Sequence, residues 1–243
     1  MELISWEVVK AYEQSDSYRA LQLKIHEDMK RIIAYVCKYL SMETQLKEQT
    51  KQKVVKCNYG IGGADLHRGI LCPGNMAAFL CGNVTRDRIA KTSKNPCYIY
   101  GYDENGTLLS CYMKDEKRIE YIIWETKDIE IGLIYGLYGG IEEISETRYG
   151  ENGKISSYLR GSVMIKDNAE IEVDFNDVEE YEYFDREIEV LWMHGNSENL
   201  NGSHVVLYLD EDGVVTRYTY CDDMWKDEIW EYKPPYQLKL KKN

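Results

Sequence analysis

Residues Tyr98–Met113 read YIYGYDENGTLLSCYM, and this stretch decides the fold. Tyr98, Tyr100 and Tyr102 alternate with Ile99 and Gly101, which is the side-chain period of a strand. Asp103-Glu104-Asn105-Gly106 then interrupts with turn residues, and Thr107-Leu108-Leu109 resumes an apolar run. Asn-Gly supplies the positive φ of a type I′ hairpin turn or of a bulged relative. The signature returns at Tyr149-Gly150-Glu151-Asn152-Gly153 and at Leu209-Asp210-Glu211-Asp212-Gly213. Ile165-Lys166-Asp167-Asn168-Ala169-Glu170-Ile171 has the form of a degraded copy, with alanine in the place of glycine. The three glycines lie 47 and then 60 residues apart, so no solenoid of fixed period is described. The pattern predicts a long antiparallel meander, with strands near 98–103, 107–113, 117–125, 129–138, 141–149, 154–165, 170–175, 181–193, 203–209, 214–221 and 228–232.

Outward toward the N-terminus the period changes. Ser15 or Asp16 can cap a helix in which Ala20, Leu21, Ile25, Met29, Ile32, Ile33, Val36, Cys37 and Leu40 recur at three- and four-residue steps. A weaker helix follows near 43–53. Residues 57–97 are rich in Gly and Cys, with turn signals at Gly60-Ile61-Gly62-Gly63 and Pro73-Gly74. The expected organisation is a helical segment 1–56, an irregular connector 57–97 and a meander 98–243, joined in one domain. The fold class expected is α+β: the N-terminal helices pack on the antiparallel meander, which either stays open or curls into a half-barrel. A single apolar stripe on the helix needs such a partner.

The whole chain has 243 residues, 44% of them apolar, and a net charge of −12. That supports a packed core and excludes wholesale disorder. It also excludes non-specific nucleic-acid binding, because an acidic chain repels phosphate. The expected partner is a basic protein, not nucleic acid or a membrane. No basic leader, no apolar run of membrane-span length and no CxxC pair among seven cysteines is present. A cytoplasmic protein with reduced thiols is therefore expected, without a metal or cofactor.

The charge is concentrated. Residues 170–189, EIEVDFNDVEEYEYFDREIE, hold ten acidic residues against one arginine, −9 of the −12, while residues 1–56 are slightly basic. Glu170, Glu172 and Asp174 alternate with Ile171, Val173 and Phe175, which places the carboxylates on one face of a strand. Asp177, Glu179, Glu180, Glu182, Asp185, Glu187 and Glu189 extend the acidic run, and Tyr181, Tyr183 and Trp192 beside it would serve as aromatic anchors if the patch docks on a partner. This patch is either a solvated face or a docking surface; clustered carboxylates also suit a hard cation.

Other chemistry is thinner. Asp65, His67 and Cys72 lie close together in the connector, with Arg68 and Asn75 beside them. That set would suit a cysteine nucleophile with a base and its orienter. The glycines at 60, 62 and 63 fit neither a Walker loop nor a dinucleotide fingerprint. His194 and His204 flank a polar loop and could approach each other. The tyrosine stripes serve either cross-strand packing or a platform for sugars or bases. The tail from Lys233 is a last edge strand with outward lysines or a loose arm.

The Tyr-Asp-Glu-Asn-Gly turn at 102–106 resembles the tyrosine–aspartate turns of bacterial surface and polymorphic-toxin repeats. A compact, acidic, β-rich chain without a catalytic motif also resembles the immunity proteins of bacterial contact-dependent and polymorphic toxin systems. The resemblance implies an inhibitor, not an enzyme, that binds a cognate toxin domain such as a nuclease. The residues that fit that role are Glu170, Glu172, Asp174, Asp177, Glu179, Glu180 and Glu182, with Tyr181 and Tyr183. A cysteine-dependent hydrolase or transferase and a carbohydrate-binding or structural β module remain as alternatives.

Overall fold

The computed structural model describes residues 11–61, 88–137, 139–196, 199–222, 229–232 and 238–239. Among the described residues the helices α1 (Asp16–Tyr39) and α2 (Glu43–Lys53) precede the sheet. Fourteen strands follow: β1 (Lys56–Ile61), β2 (Arg88–Ala90), β3 (Tyr98–Tyr102), β4 (Leu108–Met113), β5 (Arg118–Thr126), β6 (Ile129–Tyr135), β7 (Ile141–Tyr149), β8 (Ile155–Ile165), β9 (Ile171–Tyr183), β10 (Glu187–Asn196), β11 (Asn199–Leu209), β12 (Val214–Asp222), β13 (Ile229–Tyr232) and β14 (Leu238–Lys239). They form one antiparallel sheet. From β3 to β13 each strand pairs with the next in sequence; β1 lies beside β3, β2 outside β1, and β14 pairs with β12. The outermost strands β2 and β13 do not pair with each other, so the α+β sheet is open. Neither helix is long and apolar enough to cross a membrane.

The connector read as irregular contributes β1 and β2, because Tyr59-Gly60-Ile61 pairs with Arg88-Ile89-Ala90 and so extends the sheet beyond β3. The strands predicted at 170–175 and 181–193 are placed differently. β9 runs unbroken through the acidic residues, and the hairpin falls at Asp185-Arg186, where Phe184 N donates to Glu187 O at 2.9 Å. A bulge explains the continuity. Arg160 pairs with Asp177 and Gly161 with Phe175, which leaves Asn176 as one extra residue.

The turns are the bulged relative rather than type I′. Gly106, Gly153 and Gly213 have φ of +83, +71 and +75, while the residues before them keep negative φ. That is a type I turn closed by a bulge residue in the left-handed region. Ala169 adopts the same conformation at φ +63, so the degraded copy folds as the others do at the cost of a strained alanine.

Ser15 caps α1 by accepting a hydrogen bond from Tyr18 N at 3.1 Å. Leu21, Ile25, Ile32 and Val36 are buried in one core cluster with Leu133, Ile144, Leu159, Val173, Phe175 and Val178 of the sheet. Ala20 and Cys37, read as part of the stripe, are exposed on its flanks. Tyr12, just before α1, accepts from Gly202 N of β11 at 3.2 Å. At the other end Lys38 pairs with Glu125 of β5 at 2.6 Å, and Tyr135 OH of β6 donates to Tyr39 O at 2.7 Å. The 24-residue helix is about 36 Å long. The six spacings from β11 to β5 cover roughly 29 Å. One helix therefore reaches across seven strands.

The opposite face carries two further apolar clusters. One holds Ile155, Tyr181, Ile188, Val190, Val205, Leu207, Val215 and Tyr218; the other holds Tyr100, Leu108, Cys111 and Ile122. The tyrosine stripes are therefore largely packing: Tyr100, Tyr181 and Tyr218 are buried.

Candidate functional site

The bulge at Asn176 divides the acidic stretch between the two faces of the sheet. Before it, Val173 and Phe175 face α1; after it, Val178 and Glu180 do. Glu172, Asp174, Asp177 and Glu179 consequently share the face away from α1, and Glu180 and Glu182 share the face of α1. Length separates them as well. β9 has 13 residues, so its ends lie about 40 Å apart. A standard interface covers about 800 Å² per partner and is roughly 30 Å across. The ten carboxylates of residues 170–189 cannot all belong to one such patch.

Each group has its own setting. At the β8–β9 turn, Lys166 forms ion pairs with Glu170, at 3.9 Å, and with Glu172. Asp177 accepts from Trp192 Nε1 at 3.2 Å, and burial pushes its carboxyl above the ordinary aspartate range despite the opposing pull of that bond and of Arg160. Asp174 is half-buried, and its Oδ1 has no hydrogen-bond partner. Glu179 is fully buried and accepts from Tyr181 OH. Tyr181 is itself buried and stacks on half-buried Tyr183, with centroids 6.4 Å apart. Burial lifts the Tyr183 hydroxyl to about 12, and Lys154 Nζ lies 4.6 Å from the ring centre. Beside this row, Arg160 and Arg118 both bind Glu143.

The exposed acids of this stretch that have no ion pair among the described residues lie elsewhere. On the α1 face, Glu180 pairs with Lys24, whereas Glu182 of β9 stands directly opposite Glu189 of β10. Both are exposed, and neither has an ion pair among the described residues. Directly opposed like charges destabilise a sheet. The adjoining turn adds exposed Asp185, and Phe184 shows 52% of its surface. The β11–β12 turn opens at the same end and brings exposed Asp210, Glu211 and Asp212 alongside. Arg186 links the two turns through Glu211 at 3.2 Å.

The sequence reading missed this company. Asp210–Asp212 is more than twenty residues from Glu189, but successive odd hairpins of a meander open at one end. Counting strands would have found the neighbours. It also missed Phe184, whose position depends on where the β9–β10 turn falls.

No family model, curated protein or solved structure matches the chain.

Asp65, His67 and Cys72, with Arg68 and Asn75, lie outside the described residues. The register sets His194 opposite Asn201 and His204 opposite Leu191, so the histidines are not cross-strand partners. Among the described residues no group of three or more His, Cys, Asp or Glu side chains is placed to hold a metal ion. At the C-terminal end, β14 pairs Leu238 and Lys239 with Val215 and Val214 along the outer edge of β12.

Proposed function

We propose that the chain is a protein-binding inhibitor of the immunity type, and that its acidic turn end docks on the basic surface of a toxin domain in the cytoplasm. The observation that carries this reading is the opposed, exposed Glu182–Glu189 pair beside the Asp210–Asp212 turn. The free chain bears the repulsion, and a cationic partner relieves it. The relief raises affinity, and the field of the clustered acids steers encounter. Phe184 supplies an exposed aromatic anchor next to the charges. A nuclease fits the description, because a groove built for phosphate presents the required cations. Within the expected set, Glu182 is the member that serves this surface. Glu180 is engaged with Lys24, while Glu179 and Tyr181 are buried and act from below.

The test is the association rate with the purified toxin domain encoded beside the gene, followed by stopped flow over a range of salt. The Glu182→Lys/Glu189→Lys double variant is expected to associate roughly tenfold more slowly at low salt and with a flatter salt dependence. Equal rates for both proteins at every salt concentration would remove this surface from the reading. A gene neighbourhood without a toxin would remove the inhibitor itself.

A further inference from the structure

Three hairpins with asparagine at their third position share one frame but close it differently. In Asp103–Thr107, Asp103 N donates to Thr107 O at 3.0 Å and Gly106 N to Asp103 O at 3.1 Å. In Gly150–Lys154 the equivalent bonds are 2.8 and 2.9 Å. The difference is which side chain takes the N–H of the fifth residue. Asp103 Oδ1 accepts from Thr107 N at 2.8 Å and from Asn105 N at 2.9 Å. Gly150 has no side chain to do this, and Asn152 Oδ1 accepts from Lys154 N at 2.9 Å instead. Asn168 does the same for Glu170 N at 3.1 Å in the turn that begins with Lys166. Asn105 is thus displaced from its capping place by Asp103. Its side chain is exposed and makes no hydrogen bond among the described residues.

We propose that Asn105 is the site at which this chain modifies itself, by deamidation. The backbone nitrogen of Gly106 attacks Cγ of Asn105. The new N–Cγ bond forms as the Cγ–Nδ2 bond breaks, and ammonia leaves with the proton from the Gly106 amide. Water then opens the succinimide at either carbonyl, giving aspartate or isoaspartate. Glycine in the next position leaves the attacking nitrogen unhindered, but Asn152-Gly153 offers the same dipeptide in an equally exposed turn. The amide nitrogens are held alike in both turns. What differs is the anchor. The Asn152 carboxamide must release Lys154 N before Cγ can turn toward Gly153, and Asn105 has nothing to release. One hydrogen bond corresponds to a factor of roughly three to ten. The third such dipeptide, Asn201-Gly202, lies inside β11, where the Gly202 amide is buried on Tyr12 OH at 3.2 Å. Aspartate would add a charge at this turn, and isoaspartate would lengthen the backbone of the β3–β4 turn by one carbon.

Peptide mapping of the full chain after incubation at mildly alkaline pH tests this, with isoaspartyl and aspartyl peptides separated by chromatography. Asn105 is expected to convert roughly three to ten times faster than Asn152. Asp103→Gly is expected to slow Asn105 by returning the Thr107 N–H to it. Gly150→Asp is expected to speed Asn152 by taking the Lys154 N–H away. A Cβ at Gly150 meets only ordinary contacts, the nearest being Asn152 Oδ1 at 3.4 Å, so this variant keeps the turn. Equal rates at Asn105 and Asn152 in the parent chain overturn the proposal. So does an unchanged Asn152 rate in Gly150→Asp, whatever Asp103→Gly does to folding.

Discussion

Glu146 and Glu182 lie on the same face of the sheet, the face that carries α1, but α1 covers only the first. Glu146 is 2% exposed and receives Arg31 from the helix, Nη2 at 2.8 Å, and Arg148 from its own strand, Nε at 2.8 Å. Asp28 completes the set by pairing with Arg31 at 2.9 Å. Glu182 is exposed and meets Glu189. Burial forces a carboxylate to find cations within the chain, because an unpaired buried charge is too costly. An exposed carboxylate can stay opposed to a like charge, because water screens the repulsion to a fraction of a kcal/mol. The first arrangement holds the fold together. The second leaves the surface free for a partner.

Breaking the covered side has the largest effect. Glu146→Ala would leave Arg148 without its carboxylate and Arg31 with Asp28 alone, both arginines being about two-thirds buried, and we expect it to cost about 3 kcal/mol in urea unfolding with an unchanged denaturant slope. A loss below about 1 kcal/mol would mean that the Glu146 ion pairs add little to the docking of the helix.

Acid should sharpen the contrast. Burial by itself would raise the Glu146 carboxyl, but the hydrogen bonds from Arg148 and Arg31 hold it below the ordinary value of 4.5. Arg160 and Arg118 depress Glu143 in the same way against burial. A carboxyl depressed in the folded state binds its proton less readily than in the unfolded chain. Its contribution is therefore complete above pH 4.5 and is lost as pH falls through the lower folded values. Stability measured across that window should fall steeply in the parent chain and less steeply in Glu146→Ala.

The smallest effect belongs to the open side. Glu189→Lys turns a repulsive cross-strand pair into an attractive one and should stabilise the free chain by about 0.5 kcal/mol. The gain should fade as salt is added. Destabilisation by this change would show that Glu189 serves the fold rather than a partner.

What could be read from the residues was local. The spacing of Leu21, Ile25, Ile32 and Val36 announces α1, and the turn residues announce hairpins whose glycines, and Ala169, do take positive φ. What could not be read was parity. Asn176 is an ordinary polar residue, held through Nδ2 to Ser162 Oγ at 2.9 Å, and nothing in its neighbours marks the place where the strand gains a residue. That single insertion moves Glu179 into the interior and Glu182 to the helix face. The composition of the acidic site was therefore legible, but its membership depended on cross-strand register.

The chain order of the elements carries a consequence for assembly. Each strand pair from β3 to β12 closes through a hairpin of a few residues, whereas the contact between Tyr12 and Gly202 spans 190 residues. The entropy of loop closure favours the short links, so hairpins can zip one onto the next as the chain emerges. The apolar stripe of α1 precedes in the chain every strand that it packs on, from Leu133 of β6 to Met193 of β10. Its apolar side chains therefore stay exposed until those hairpins have formed, and the helix can dock only on a sheet already several strands wide.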